Sequence, residues 1–252
     1  MKKVKVSIIT VSYNSEHTIE YCIKSVLSQT YNNIEHIIID GNSNDKTISI
    51  INKYSNQVSR ILVEEDKGVY DAMNKGIQIA TGELLGFLNS DDFFSNSKVI
   101  DNIVEFIYNN NLDGCFGNIC YVDKKIPEII KREWISSEYV PGAFSYGWVP
   151  PHPTFYVKRN LYKLYGGFNL KYTIAGDFEL MLRFIEINNI QLKYLPLNFV
   201  YMRLGGISNN SYLNIFRQNY EIWKAITEHE LKFKIIDFIK FKIENRLLPY
   251  YK

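Results

Sequence analysis

Cysteine is scarce in this chain and without pattern. Cys22, Cys115 and Cys120 are the only three, and no two stand in a C-x-x-C spacing. This argues against a disulfide framework and reads as reduced thiols of a cytoplasmic protein. A dominant sign of charge is also missing. Lys and Arg number 29 against 27 Asp and Glu, a formal net charge of +2. No global field for nucleic acid follows from that balance. No apolar run approaches the ~18–20 residues that cross a bilayer. Met1-Lys2-Lys3-Val4 leads straight into a strand, unlike a signal peptide. The first strand is not followed by G-x-G-x-x-G but contains Thr10-Val11-Ser12-Tyr13-Asn14. This weighs against a dinucleotide site, whose glycines admit a pyrophosphate to the backbone. Internal repeats and low-complexity tracts are absent as well.

What is present describes a globular protein. Hydrophobic residues make up 46% and charged residues 22% of 252, enough for one large α/β domain, with or without an appendage, whose core needs no staples. Tyr and Phe are plentiful, 19 and 15, and serve stacking surfaces or ordinary packing. Strands are expected at Val4–Val11, Ile34–Ile39, Arg60–Val63 and Leu84–Leu88. Helices are expected at Thr18–Gln29, Thr47–Tyr54 and Val69–Ala80. The alternation predicts a parallel sheet of βαβ units. Beyond it come a helix at Lys98–Tyr108 and a strand at Gly114–Val122. Residues 124–153 form a long irregular stretch, of a kind that is more often functional than not. A short strand at Thr154–Val157 and a helix at Asp177–Asn188 follow. Next is a strand at Gln191–Tyr201, where Pro196 implies an edge or a bulge. The last expected element is a helix at Leu213–Glu228.

The chemistry concentrates where strands end. Leu84-Leu85-Gly86-Phe87-Leu88-Asn89-Ser90-Asp91-Asp92 is an apolar run closed by two carboxylates. Strand stability does not account for the pair, since Asp is disfavoured in strands and like charges repel. At the carboxyl end of a parallel strand such oxygens suit Mg²⁺ or Mn²⁺ bridging to a substrate diphosphate. An N-cap for the next helix is the competing explanation. The polar turn after the first strand can hydrogen-bond a base and ribose. Asp40 closes the second strand and can accept from a nucleobase or ribose, or simply form a turn before Gly41. Asp71 and Asn74 stand one helical turn apart and can face one ligand, with helix capping by Asp71 as the alternative.

Ile8-Ile9-Thr10-Val11-Ser12-Tyr13-Asn14, Ile39-Asp40-Gly41-Asn42-Ser43-Asn44-Asp45, Gly68-Val69-Tyr70-Asp71-Ala72-Met73-Asn74-Lys75-Gly76 and Asn89-Ser90-Asp91-Asp92 occur in this order. Together they resemble the inverting glycosyltransferases of family 2. The resemblance spans residues 4–120 most closely and extends to about 205. It implies an α/β GT-A fold: a Rossmann-like, mostly parallel sheet flanked by helices. Residues 1–207 would be the glycosyltransferase domain, with a nucleotide-binding half at 1–120 and an acceptor half at 121–207. A C-terminal helical extension, 208–252, would follow.

The resemblance also implies roles. Thr10, Ser12, Tyr13, Asn14, Asp40, Asp71 and Asn74 would hold the nucleotide, with Asn89 and Asp91 on the ribose or sugar. Asp92 would ligate Mn²⁺ or Mg²⁺. The family's motif is Asp-x-Asp, whereas this chain has Ser90-Asp91-Asp92 and so lacks the first Asp. Asp177 is expected to be the general base. Glu179 is second, since two residues along a helix turn it ~200° away, toward solvent. A helix-capping Asp177 is the competing explanation. His152, between Pro151 and Pro153, would sit by the donor sugar or diphosphate, or else be a packing residue. Arg203 in Arg203-Leu204-Gly205-Gly206-Ile207-Ser208 is read as the cation of a lid over the diphosphate, against an N-cap at Ser208.

The reading is a metal-dependent inverting transferase. It would use a nucleotide-sugar donor, foremost a UDP-sugar, and a saccharide or polyprenyl-linked saccharide acceptor in surface polysaccharide synthesis. Two rivals are a sugar nucleotidyltransferase and a binding module without catalysis. The first lacks its Gly- and Arg/Lys-rich triphosphate loop here, and Asp177 argues against the second. The tail from Leu231 carries six Lys or Arg against Asp237 and Glu244. Ile235, Ile236, Ile239, Ile243 and Leu247 share one face. This suits the cytoplasmic face of an anionic membrane, or a helix docked on the domain or on a second subunit.

Overall fold

The structure, a computed structural model, describes residues 4–124, 126–205 and 212–247. Its first half follows the expected alternation. β1 (Val6–Ser12), α1 (Ile19–Leu27), β2 (Ile34–Asp40), α2 (Thr47–Asn52), β3 (Arg60–Val63), α3 (Val69–Ile79) and β4 (Leu84–Phe87) come in turn. β1 pairs with both β2 and β4, and β2 with β3, all in parallel. Period-2 alternation divides β1 between two cores. Val6 and Ile8 share a core with Cys22 and Val26 of α1 and with Ile100 and Ile103, whereas Ile9 and Val11 face α3.

The second half departs from a parallel array. β5 (Phe93–Phe94), α4 (Val99–Asn109), β6 (Gly114–Val122), β7 (Ile130–Trp134), β8 (Tyr156–Lys158), α5 (Asn160–Tyr165), α6 (Gly176–Leu182) and β9 (Leu192–Arg203) complete the sheet and its cover. The order is β3-β2-β1-β4-β8-β6-β9-β5, with β7 beside β6. β8 slots between β4 and β6, antiparallel to both, while β6 and β9 run parallel. A three-residue strand inserted out of chain order leaves no periodicity to read. β7 falls inside the stretch expected to be irregular. The pairing slips near Pro196: Phe116 faces Tyr194, yet Asn118 already faces Asn198. β5 meets β9 only at Val200 and Tyr201, so Pro196 sits at an irregularity in the pairing with β6, on a stretch with no strand among the described residues on its other side. The helix expected at Asp177–Asn188 is α-helical only to Leu182, then turns π-helical over Arg183–Ile187.

The helices expected at the C-terminus share the main core. α7 (Tyr212–Glu228) buries Ile222, Ala225 and Ile226 there. α8 (Ile235–Leu247) docks Phe238 against Gly147, where an added Cβ would lie 2.6 Å from the ring. Lys234 N donates to Ser145 O at 2.9 Å. The opposite face, Ile235, Ile236, Ile239 and Ile243, is exposed, Ile236 at 79%. The position of Leu247's side chain lies outside the described residues.

Burial on β2 sets the acid response. It pushes the His36 imidazole down to about 3, against ~6.5 in an unfolded chain. Below 6.5 the unfolded chain takes up a proton that the fold refuses, so stability falls as pH drops toward 3. Urea titrations between pH 7 and 5 are expected to show this slope, a loss on the order of 2 kcal/mol over that range. His36→Leu should flatten it; equal slopes would exclude His36 as the cause. Glu35 acts at lower pH. Burial raises its carboxyl, but Ser7, Thr81 and Lys5 outweigh that and hold it at about 2.

Candidate active site

The carboxyl ends of β1, β2 and β4 form one crevice. Ser12 lies opposite Asp40 in the ladder and donates Oγ to Asp40 Oδ2 at 2.7 Å. Ser43 adds its amide to Oδ1 at 2.7 Å and its hydroxyl to Oδ2 at 2.8 Å. Asp40 is thus buried and organises both loops, as the turn-forming alternative anticipates. Asn14, in left-handed backbone at φ 48°, donates its amide to Ser43 Oγ and accepts from Asn44 N. Tyr13 is exposed at the mouth. Gly41 leaves room there, since a Cβ would come within 2.6 Å of Asp66 Oδ2 and 3.3 Å of the Tyr13 ring. Thr10 does not reach this crevice with its side chain. Alternation turns it inward, where Oγ1 bonds His36 Nε2 at 3.0 Å.

The carboxylate pair closes the crevice. Asp92 is fully buried. Its Oδ2 accepts from Asn89 Nδ2 at 3.1 Å, and its Oδ1 has no partner. Burial, then the neighbouring Asp91, pushes the Asp92 carboxyl well above its ordinary range. Asp91 is raised too, chiefly by burial, with Arg203 and Lys124 pulling the other way. An orphaned oxygen on a crowded buried carboxylate could receive a cation, and an all-oxygen donor set would suit Mg²⁺ or Mn²⁺. Among the described residues no cluster of three His, Cys, Asp or Glu exists. The protein side therefore amounts to Asp92 with Asp91. Ser90, standing where the motif's first Asp would be, bonds Ser15 Oγ at 2.8 Å and ties the β1 loop to the β4 loop.

Arg203 is not a lid residue. It ends β9, paired with Val122, and is buried. Its guanidinium lies 5.0 Å from the Tyr21 and Phe93 ring centroids and donates to Asp91 O at 2.6 Å. It is a fixed cation beside the Asp pair. Ser208, the competing N-cap, lies outside the described residues.

Asp177 is half-buried at the start of α6. Its Oδ1 accepts from Phe178 N at 2.9 Å and lies 3.2 Å from Tyr70 Oη. Among the described residues no donor reaches Oδ2. Gly176 precedes it because a Cβ there would sit 2.7 Å from the Tyr70 ring. His152 stacks on Phe87 at 5.5 Å and meets Phe168 edge-on. Its Nε2 is buried without a partner. Burial lowers its pKa, and Asp177 nearby pulls the other way.

Two expectations on this side are overturned. Glu179 faces inward, not toward solvent. It is buried between Arg183, Nε to Oε1 at 2.9 Å, and His229, Nε2 to Oε1 at 3.0 Å. Asn74 does not face a ligand with Asp71. Its amide is spent on the Phe168 backbone, donating at 2.9 Å and accepting at 2.8 Å. Asp71 accepts from Lys67 N at 3.0 Å and lies 3.8 Å from Lys75 Nζ. Tyr70 was visible within a motif, but its link to Asp177 was not. Arg183, which also donates to the carbonyls of Gly166 and Gly167, had no sequence signal.

Comparison with known proteins agrees with this geometry. The family model described as Glycosyl transferase family 2 matches residues 7–178. WfgD of Escherichia coli, a UDP-Glc:alpha-D-GlcNAc-diphosphoundecaprenol beta-1,3-glucosyltransferase, is 28% identical over 256 residues, covering 97% of this chain and 96% of its own. The fold matches S. aureus TarS 1-349 in complex with UDP at a TM-score of 0.71 and 20% identity, over 95% of this chain and 71% of that one. This chain covers 40% of a longer TarS chain. A mannosyltransferase, PcManGT from Pyrobaculum calidifontis, in complex with GDP-Man and Mn2+, matches at 0.67 and 17% identity, over 98% of this chain and 71% of its own. The sheet is that of a GT-A scaffold, and the chain belongs to glycosyl transferase family 2.

Proposed function

We propose that this glycosyltransferase moves a sugar, with inversion, from a UDP-sugar to a polyprenyl-linked saccharide. The observation that carries the reading is the Asp91–Asp92 pair, half-buried and fully buried in turn and with one Asp92 oxygen unpartnered, at the carboxyl end of β4. A divalent cation held by Asp92 and Asp91 would offset diphosphate charge as the nucleotide leaves. The Asp40 and Tyr13 loops receive the base and ribose, and Asp71 supports that side. His152 Nε2, unpartnered beside Phe87, offers one polar contact to the donor. The acceptor hydroxyl attacks the anomeric carbon from the face opposite the diphosphate. Its proton passes to Asp177, a new C–O bond forms, and the bond to the diphosphate oxygen breaks. WfgD's named acceptor supports the lipid-linked class, and its named donor supports UDP.

A screen of UDP-Glc, UDP-GlcNAc, UDP-Gal and GDP-Man against polyprenyl-diphosphate-GlcNAc, read by nucleotide release, tests this. UDP release that depends on acceptor is expected. Turnover of GDP-Man alone would reverse the base assignment.

A lipid-linked acceptor gives the exposed C-terminal faces a use. No helix among the described residues is long and apolar enough to cross a membrane. α7 exposes Leu213, Phe216, Tyr220 and Trp223 at helical spacing, and α8 exposes its isoleucines beside Lys residues. Each basic residue near an anionic surface contributes ~1 kcal/mol, an attraction that salt screens. Truncation would strip Phe238 from the core, so Ile236→Glu with Ile239→Glu is the cleaner probe of peripheral binding at the inner face. The wild type is expected to co-sediment with phosphatidylglycerol vesicles at low salt, and the variant to stay in the supernatant. Wild type left in the supernatant, or a mass shift in light scattering for the variant, would assign the face to a second subunit or to none.

A further inference from the structure

We infer that Glu221, on α7 and outside the family-matched residues, is a positioning residue for the catalytic Asp177. The inference rests on the reading of Asp177 as the base.

The buried Glu221 carboxylate takes a run of consecutive donors from the segment that leads into α6. Oε1 accepts from Thr173 Oγ1 at 2.9 Å. Oε2 accepts from the amides of Thr173 at 3.0 Å, Ile174 at 2.9 Å and Ala175 at 2.9 Å. Three successive N–H groups converging on one anion form a nest, here filled by the protein's own carboxylate. Arg217 Nε stands 3.4 Å from Oε1. Burial raises the Glu221 carboxyl, but the amides outweigh it and keep the group below its ordinary range.

A second jaw closes from α3. Tyr70 Oη donates to Ile174 O at 2.9 Å, and Gly176 lies against the Tyr70 ring. The peptide units before Asp177 are therefore gripped on both sides. The hydroxyl has one proton, and the shorter contact assigns it to Ile174 O. Tyr70 Oη also stands 3.2 Å from Asp177 Oδ1, so it touches both the backbone before the carboxylate and the carboxylate itself.

Glu221 is not needed merely to attach α7. Ile222, Ala225 and Ile226 bury that helix. Tyr172 Oη donates to Glu228 at 2.6 Å, and His229 bonds Glu179. Nor does α6 depend on it for burial, since Phe178, Leu180, Met181 and Leu182 are all in the core. What Glu221 fixes, opposite Tyr70, is the backbone that aims Asp177. A base displaced by about 1 Å can lose ~10²-fold in rate with substrate binding intact.

The test compares Glu221→Gln, Glu221→Asp, Asp177→Asn and the Glu221→Gln/Asp177→Asn double variant. Readouts are kcat, UDP affinity by calorimetry, melting temperature and amide exchange at residues 173–175. Glu221→Gln presents an NH₂ group to amide donors. It is expected to lower kcat ~10–10²-fold, to leave UDP affinity within about twofold and to speed exchange at 173–175. In the Asp177→Asn background it should cost nothing further, because its effect runs through that carboxylate. Glu221→Asp keeps the charge and restores part of the rate. If Glu221→Gln melts early, Glu221→Asp decides: a kcat loss at unchanged melting temperature and UDP affinity supports the proposal, and wild-type kcat overturns it. Losses that multiply in the double variant overturn it, as does wild-type kcat in Glu221→Gln beside an inactive Asp177→Asn. Wild-type turnover in Asp177→Asn removes the base assignment itself, and the proposal with it.

Discussion

Asp92→Ala should abolish transfer, and EDTA should do the same to the wild type, with Mn²⁺ or Mg²⁺ restoring it. The expectation comes from Asp92's lack of compensation: a fully buried carboxylate with Oδ1 unpartnered and Asp91 beside it. Stabilising leaving-group charge in this way is worth several kcal/mol, so a loss of ~10³-fold or more is expected. Mn²⁺ affinity in the presence of UDP, followed by electron paramagnetic resonance, should fall with the rate. A second readout is independent of turnover. Asp92→Asn keeps an oxygen for Asn89 Nδ2 and removes a carboxyl whose ionisation burial and Asp91 oppose, so its melting temperature should rise as activity disappears. Full activity after chelation would remove the metal from the reading.

Asp177→Asn should lower kcat by ~10²–10⁴-fold and leave UDP affinity nearly intact. Asn retains an oxygen for Phe178 N and the contact with Tyr70, so the loop keeps its shape and only the proton acceptor is lost. Measuring UDP affinity alongside turnover separates chemistry from binding. If kcat stays near normal, the role passes to His152, whose Nε2 is unpartnered. It would not pass to Glu179, which is fully engaged by Arg183 and His229.

The nucleotide half was legible because each of its signals is local. β1, β2 and β4 are rich in buried apolar residues, and their ends carry polar residues that no strand needs. Asp40, Asp91 and Asp92 could be placed on the ligand edge from that alone. The acceptor half was less legible because its order is set by long-range pairing. β8 enters the sheet between strands that precede it in the chain, and β7 lies in a stretch with no alternation. Side-chain direction was harder still. Asn74 looked like a ligand contact from its spacing, yet Phe168 claims it from far along the chain. Glu179 was assigned to solvent by helical geometry, but His229, just past the end of α7, covers that side. No local pattern announces Glu221, whose partners across the fold are three backbone amides and the Thr173 hydroxyl.

The three buried cysteines also make a clock. Burial pushes the Cys22 thiol up to about 12 and Cys120 to about 11, and raises Cys115 as well. A maleimide meets almost no thiolate on the folded chain. Labelling must wait for the molecule to open, and the three sulfurs sit in different elements: Cys22 on the buried face of α1, Cys115 and Cys120 along β6. Their order of modification therefore times which part of the sheet comes apart first. A single cysteine placed on the surface would be the one fast-reacting handle, ready for a fluorophore without removing the native three.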